Sequence, residues 1–237
     1  MVARGRRRCQ ARARRRNIRV LAAGGDDRCR SVVSWSQRRP PERPAKARGR
    51  CGMSIDAGKW TSDWYVAREI YAAYEDSRKD ELCIICIGDP ATPGGYLVKP
   101  VGEALAEYHP NVFGTLDRPV HEGNWLERWA EHGETWRSCF QIVIAPRGGD
   151  DNDIGFIVPS RAPWVPKTLG PDAPQLGHIV LYATVFFAGL EEAGVPANPH
   201  LEKRAAKAAD VVVDGVLRFF HKIGYDHTQY QERVLKR

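Results

Sequence analysis

The chain has 237 residues, with 36 Lys and Arg against 29 Asp and Glu and a formal charge of +7. That balance is uneven: residues 1–52 hold 17 Lys and Arg against 3 Asp and Glu, which leaves 19 against 26 from Met53 onward. The overall basicity therefore gives no reason to assign a nucleic-acid role to the acidic remainder. The longest apolar run, Ile179 to Leu190, is too short to cross a bilayer and carries Tyr182 and Thr184, so no membrane span or membrane partner is predicted.

Residues 1–52 are rich in Arg, Ala, Gly, Pro and Ser, and their few apolar side chains follow neither helical nor strand periodicity. Such a segment buries too little apolar surface to offset chain entropy, which predicts disorder. Three readings stand side by side. The segment lies outside the mature protein, which would then begin near Met53-Ser54. It is an organelle transit peptide, being Arg-rich and acid-poor. Or it is a tail for nucleic acid or another anionic surface, so that nucleic acid is a partner only if residues 1–52 are present.

From Met53 to Arg237 the pattern suits one α/β domain. Trp64, Ala67, Tyr71 and Tyr74 recur at helical spacing, and Leu82 to Ile87 is an unbroken apolar run that reads as a strand buried on both faces. A helix follows from Pro100 to near Pro110, then a strand over Val112 to Leu116. Trp125, Leu126 and Trp129 mark another helix, Phe140 to Ile144 a third strand, and the alternation of Ile154, Phe156 and Val158 a fourth. Two long helices are predicted last, at about Gln175 to Ala193 and Leu201 to Ile223.

Strands separated by helices imply parallel crossovers. The expected architecture is an α/β three-layer sandwich, with a mostly parallel central sheet and helices on both faces. The span Pro159 to Pro174 holds five prolines and fits no regular element; a loop of that length commonly serves a function.

Cys83, Cys86 and Cys139 lie in or beside apolar runs, which predicts buried thiols in a reducing compartment, the cytoplasm unless the leader directs import. In a strand Cys83 and Cys86 point to opposite faces and make no zinc half-site. Trp125, Trp129 and Trp136 pack most simply as core. His178, expected just ahead of a helix, is read as a hydrogen-bonded structural residue.

Ligands of open α/β sheets bind beyond the carboxyl ends of the strands. Those ends deliver Gly88, Asp89, Gly94 and Gly95 from the first strand, Asp117 from the second, and Arg147 and Asp151 from the third. Asp89, Asp117 and Asp151 are the candidate catalytic residues, able to supply an acid and a base or to gather around a divalent cation. Gly88, Gly94, Gly95 and Arg147 are candidate ligand-binding positions, with Trp164 on a covering loop. No nucleotide-binding, zinc-protease or serine-hydrolase signature is legible, and the cofactor is left unassigned.

The stretch Ile84 to Pro110, with Gly88-Asp89-Pro90 and Val101-Gly102-Glu103-Ala104-Leu105, resembles the opening of hydrogenase-maturation proteases. Their metal ligands do not carry over: Gly94-Gly95 stands where that family has an acidic pair, and Ala145-Pro146 where it has an Asp. Gly88-Asp89-Pro90 is also similar to a nucleoside phosphorylase motif, but Thr92 replaces the phosphate-binding Arg.

The function expected is binding of a small anionic or nucleotide-like ligand at the strand ends, by a hydrolase or group transferase. The alternative is a non-catalytic interaction module that uses the proline-rich loop around Trp164.

Overall fold

The computed structural model describes residues 53–89, 92, 95, 98–170, 172–188 and 199–225, all within one compact unit, Arg48–Arg237. The expectations for residues 1–52 and for Gly94 lie outside the described residues.

A six-stranded mixed sheet forms the centre. Its elements in chain order are β1 (Ile55–Asp56), α1 (Ser62–Ser77), β2 (Leu82–Cys86), α2 (Val98–Ala106), β3 (Val112–Phe113), α3 (Trp125–Ser138), β4 (Phe140–Gly149), β5 (Phe156–Ser160), β6 (Ile179–Phe187) and α4 (Pro199–Lys222). The strand order is β1-β5-β6-β4-β2-β3. β3, β2, β4 and β6 run parallel, whereas β5 and then β1 add antiparallel to one side.

One predicted helix is corrected. The stretch expected to be helical from Gln175 to Ala193 contains strand β6, which lies between β4 and β5. Ile179, Val180, Tyr182, Thr184, Val185, Phe186 and Phe187 are β-branched or aromatic, so their side chains suit a pleated surface better than a helix. His178 therefore precedes a strand.

Each buried strand feeds two cores because successive side chains point to opposite faces. Leu82, Ile84 and Cys86 join one cluster with Val66 and Ile70 of α1, Leu105 of α2 and Phe219 of α4. Cys83, Ile85 and Ile87 join the other with Trp125 and Trp136 of α3 and with Trp164. The opposed placement of Cys83 and Cys86 follows from this alternation, and the described cysteines are free and buried.

Two close approaches fix the helices. Gly215 of α4 lies against α1 so tightly that a Cβ there would sit 2.5 Å from Val66 Cγ1. Arg218 of α4 also pairs with Asp63 in the first turn of α1, where an acidic side chain suits the helix dipole. At the other end α1 stops at Arg78, a non-glycine residue with φ 54°.

Candidate functional site

The chain path creates a crevice. The connection after β2 leads to β3 on one side, and the connection after β4 leads to β5 and then β6 on the other, so the connections diverge between β2 and β4. A point of divergence beyond parallel carboxyl ends is where open α/β sheets hold ligands. A cleft of about 850 Å³ opens there, within the range of small-molecule sites.

Four of the residues singled out in the sequence line this cleft: Gly88, Asp89, Arg147 and Trp164. Gly88 is held at the end of β2 by its N–H donating to Val120 O at 2.9 Å. Asp89 then starts a turn in which both the N–H and the hydroxyl of Thr92 donate to its carbonyl. Gly95 is buried, donates its N–H to Thr92 O and does not line the cleft.

Asp117 and Asp151 are placed elsewhere. Asp117 is exposed in a turn closed by Arg118 N–H donating to Thr115 O. Asp151 is exposed in the β4–β5 turn, and its carbonyl accepts from Arg204 Nη1 at 2.8 Å. Neither lines the cleft, so the strand-end carboxylates do not gather. Among the described residues no group of three His, Cys, Asp or Glu side chains is arranged to hold a metal ion.

Arg147 has a particular setting. Val143 and Ala145 of β4 belong to the cluster that includes α3 and Trp164, and the alternation of the strand carries Arg147 onto the same face. The β4–β6 register slips immediately after it, between Arg147 and Gly148. Irregularities of this kind re-aim side chains and are frequent beside functional sites. Among the described residues no carboxylate pairs with the Arg147 guanidinium.

Several cleft residues escaped the sequence reading. Tyr182 and Phe186 come from β6, hidden by the mistaken helix. Burial pushes the Tyr182 phenol up, and the neighbouring Arg147 guanidinium pulls it down by a smaller amount. Glu122 comes from a short 3-10 turn, Glu122–Asn124, that His121 and Asn124 cap reciprocally. That turn follows Val120, which bridges Ile87 in parallel and so returns the chain to the edge of the sheet after β3.

The loop around Trp164 is held at both ends. Trp164 and Leu176 exchange backbone hydrogen bonds of 2.6 and 3.0 Å, and Lys167 N–H donates to Glu122 Oε1 at 3.1 Å. Trp164 is 7% exposed, and its ring meets Trp125 edge to face at 5.1 Å. Its indole is thus a wall of the cleft and part of the core, while Val165, Lys167 and Thr168 beyond it form the rim.

The model of a family described as "Protein of unknown function (DUF1256)" matches residues 63–215. The chain belongs to that family. The matched span runs from α1 into α4 and contains every described residue that lines the cleft. Neither the curated proteins nor the solved structures compared give a match to this DUF1256 chain.

His178 lies at the opposite end of the sheet. It opens β6, its Nδ1 accepts from Gln141 N–H at 3.0 Å, and its ring tilts against Phe140. Gln141 is buried in turn, with Nε2 donating to Trp136 O and Oε1 accepting from Gly177 N–H at 2.7 Å. Burial, with a smaller contribution from Lys79, lowers the His178 pKa, as suits a neutral acceptor. These contacts tie α3 to β4 and β6.

Proposed function

We propose that this chain binds a small anionic ligand in the strand-end cleft, with Arg147 as the residue that holds the negative group. The observation that carries the reading is a guanidinium that no carboxylate among the described residues pairs with, lining a cleft where the strand order diverges. A guanidinium presents a planar fork of N–H donors that matches carboxylate and phosphate oxygens. Asp89, which lines the same cleft, is the candidate acid or base, and hydrolysis or group transfer is the chemistry proposed for a carboxylate in an anion site.

Arg147→Ala and Asp89→Asn separate binding from chemistry. The first is expected to weaken anion binding at least about tenfold, since a charge-assisted bidentate contact contributes on the order of 1.5–3 kcal/mol. The second is expected to leave binding within about threefold and remove turnover of any substrate found. Binding unchanged by Arg147→Ala would end the proposal. The alternative, a non-catalytic interaction module that uses the proline-rich loop around Trp164, draws less support from Trp164 itself, which is largely buried.

The reading includes the finer architecture: three layers, supported by the separate clusters on the two faces of the sheet. It places the protein in a reducing compartment such as the cytoplasm, supported by buried free thiols. No helix among the described residues is long and apolar enough to cross a membrane.

A further inference from the structure

Arg147 and Tyr182 have a defined spatial relation. In the β4–β6 register Ala145 faces Tyr182 and Arg147 faces Thr184, so Arg147 and Tyr182 are diagonal neighbours on one face of the sheet. Both line the cleft, and the Tyr182 side chain is partly buried against the cluster containing Val180 and Trp164. A guanidinium and a phenol side by side offer donors of two kinds to the same pair of oxygens.

Part of the remaining cleft wall is apolar, although Asp89, Glu122 and Lys167 line the cleft too. Pro146, Val165 and Phe186 line it, and the Phe186 ring lies so close over Gly148 that a Cβ there would sit 2.8 Å from Phe186 Cε2. Gly148 thus leaves room for the Phe186 ring, which also packs against the cluster on the α1 and α4 side of the sheet. A bare inorganic anion would leave that wall wet; a ligand with an apolar body would cover it.

We infer that the ligand is an amphiphilic anion: a carboxylate or phosphate group held by Arg147 and Tyr182, joined to an apolar body that lies against Pro146, Val165 and Phe186. The inference rests on the reading that the cleft binds an anion at Arg147, and adds that the body of the ligand contributes to its affinity. Tyr182 becomes a binding residue and Phe186 a specificity residue.

Calorimetric titration of the full chain with inorganic phosphate, phenyl phosphate, acetate, 4-phenylbutyrate and benzyl alcohol tests this. At least one aryl anion should bind about tenfold or more tightly than its bare counterpart, since covering a ring's worth of apolar area is of that order. The stronger of the phosphate and carboxylate arms identifies the head group. Arg147→Ala should weaken both the bare and the aryl anion, Tyr182→Phe should weaken both by a smaller factor, and Phe186→Ala should weaken only the aryl anion.

Bare and aryl anions binding equally, with both still lost in Arg147→Ala, would overturn the amphiphilic ligand and leave the anion site standing. Benzyl alcohol binding as tightly as the aryl anions, or no anion responding to Arg147→Ala, would overturn both.

Discussion

Gly114 packs on the carbonyl of Cys86: a Cβ at Gly114 would stand 1.8 Å from that oxygen, and Gly114 has φ 82°. Gly102 of α2 presses on Gly114 from the other side, where its own Cβ would lie 2.6 Å from Gly114 O. Helix, turn and strand end therefore meet backbone to backbone just before Asp89 leaves β2. Gly114→Ala must move β2 or the turn after β3 and adopt a left-handed conformation as well. The expected loss is about 3 kcal/mol or more, read as a lowered denaturant midpoint.

Arg78 closes α1 in a left-handed conformation without being glycine. Arg78→Gly should raise stability by roughly 0.5–1 kcal/mol, because glycine adopts this cap without a Cβ penalty. An unchanged or lower midpoint in chemical denaturation would contradict that account of the helix end.

Burial pushes the Cys86 thiol up to about 12 and raises Cys83 as well, where nearby Cys139 adds to the effect. An unfolded thiol ionises near about 8.5, so above that pH the unfolded state releases protons that the folded state keeps. The stabilisation is whole below about pH 8.5 and declines as pH rises toward the folded values, by up to roughly 1.4 kcal/mol per pH unit for each thiol. Unfolding midpoints measured from pH 7 to 10 should fall, and less steeply in Cys86→Ala. Peptide mapping after a thiol reagent at pH 8 should find these cysteines unmodified until the protein unfolds.

His178 works in the opposite direction. Its folded pKa is lowered, so the unfolded state takes up a proton first as pH falls through about 6.5. Its contribution is present above that value and is lost below it, when protonation removes the Nδ1 acceptor of Gln141 N–H. His178→Gln should flatten the pH dependence of stability between pH 7 and 5. A profile as steep as the original would move that dependence to another group.

Glu122 secures the rim of the cleft through the Lys167 N–H. Glu122→Ala removes the acceptor of that bond, a loss of about 1 kcal/mol at a site open to solvent, and should increase tryptic cleavage after Lys167 roughly fivefold. The midpoint of global unfolding should hardly change, because the Trp164–Leu176 bridge and the Trp164 ring remain.

Much of the sheet was legible from pattern. Leu82 to Cys86 and Phe140 to Ile144 are apolar on both faces, as only doubly covered strands are, and the spacing of Trp64, Ala67, Tyr71 and Tyr74 marks α1. β6 was misread because a short apolar run suits a buried helix as well as a buried strand by periodicity alone; its β-branched and aromatic content was the signal that separates them. With β6 went Tyr182 and Phe186, its contribution to the cleft wall.

The sequence by itself determined which strand ends carry polar groups, because the carboxyl ends follow from local pattern and turn residues. Asp89, Arg147, Asp117 and Asp151 all satisfy that rule. Only the tertiary structure decided that Asp89 and Arg147 share a cleft while Asp117 and Asp151 face solvent elsewhere. The physical reason is that strand order is not written in any one strand: it depends on β6 entering between β4 and β5 and on Val120 returning to Ile87. Those are long-range pairings, set by how the whole chain buries both faces of one sheet.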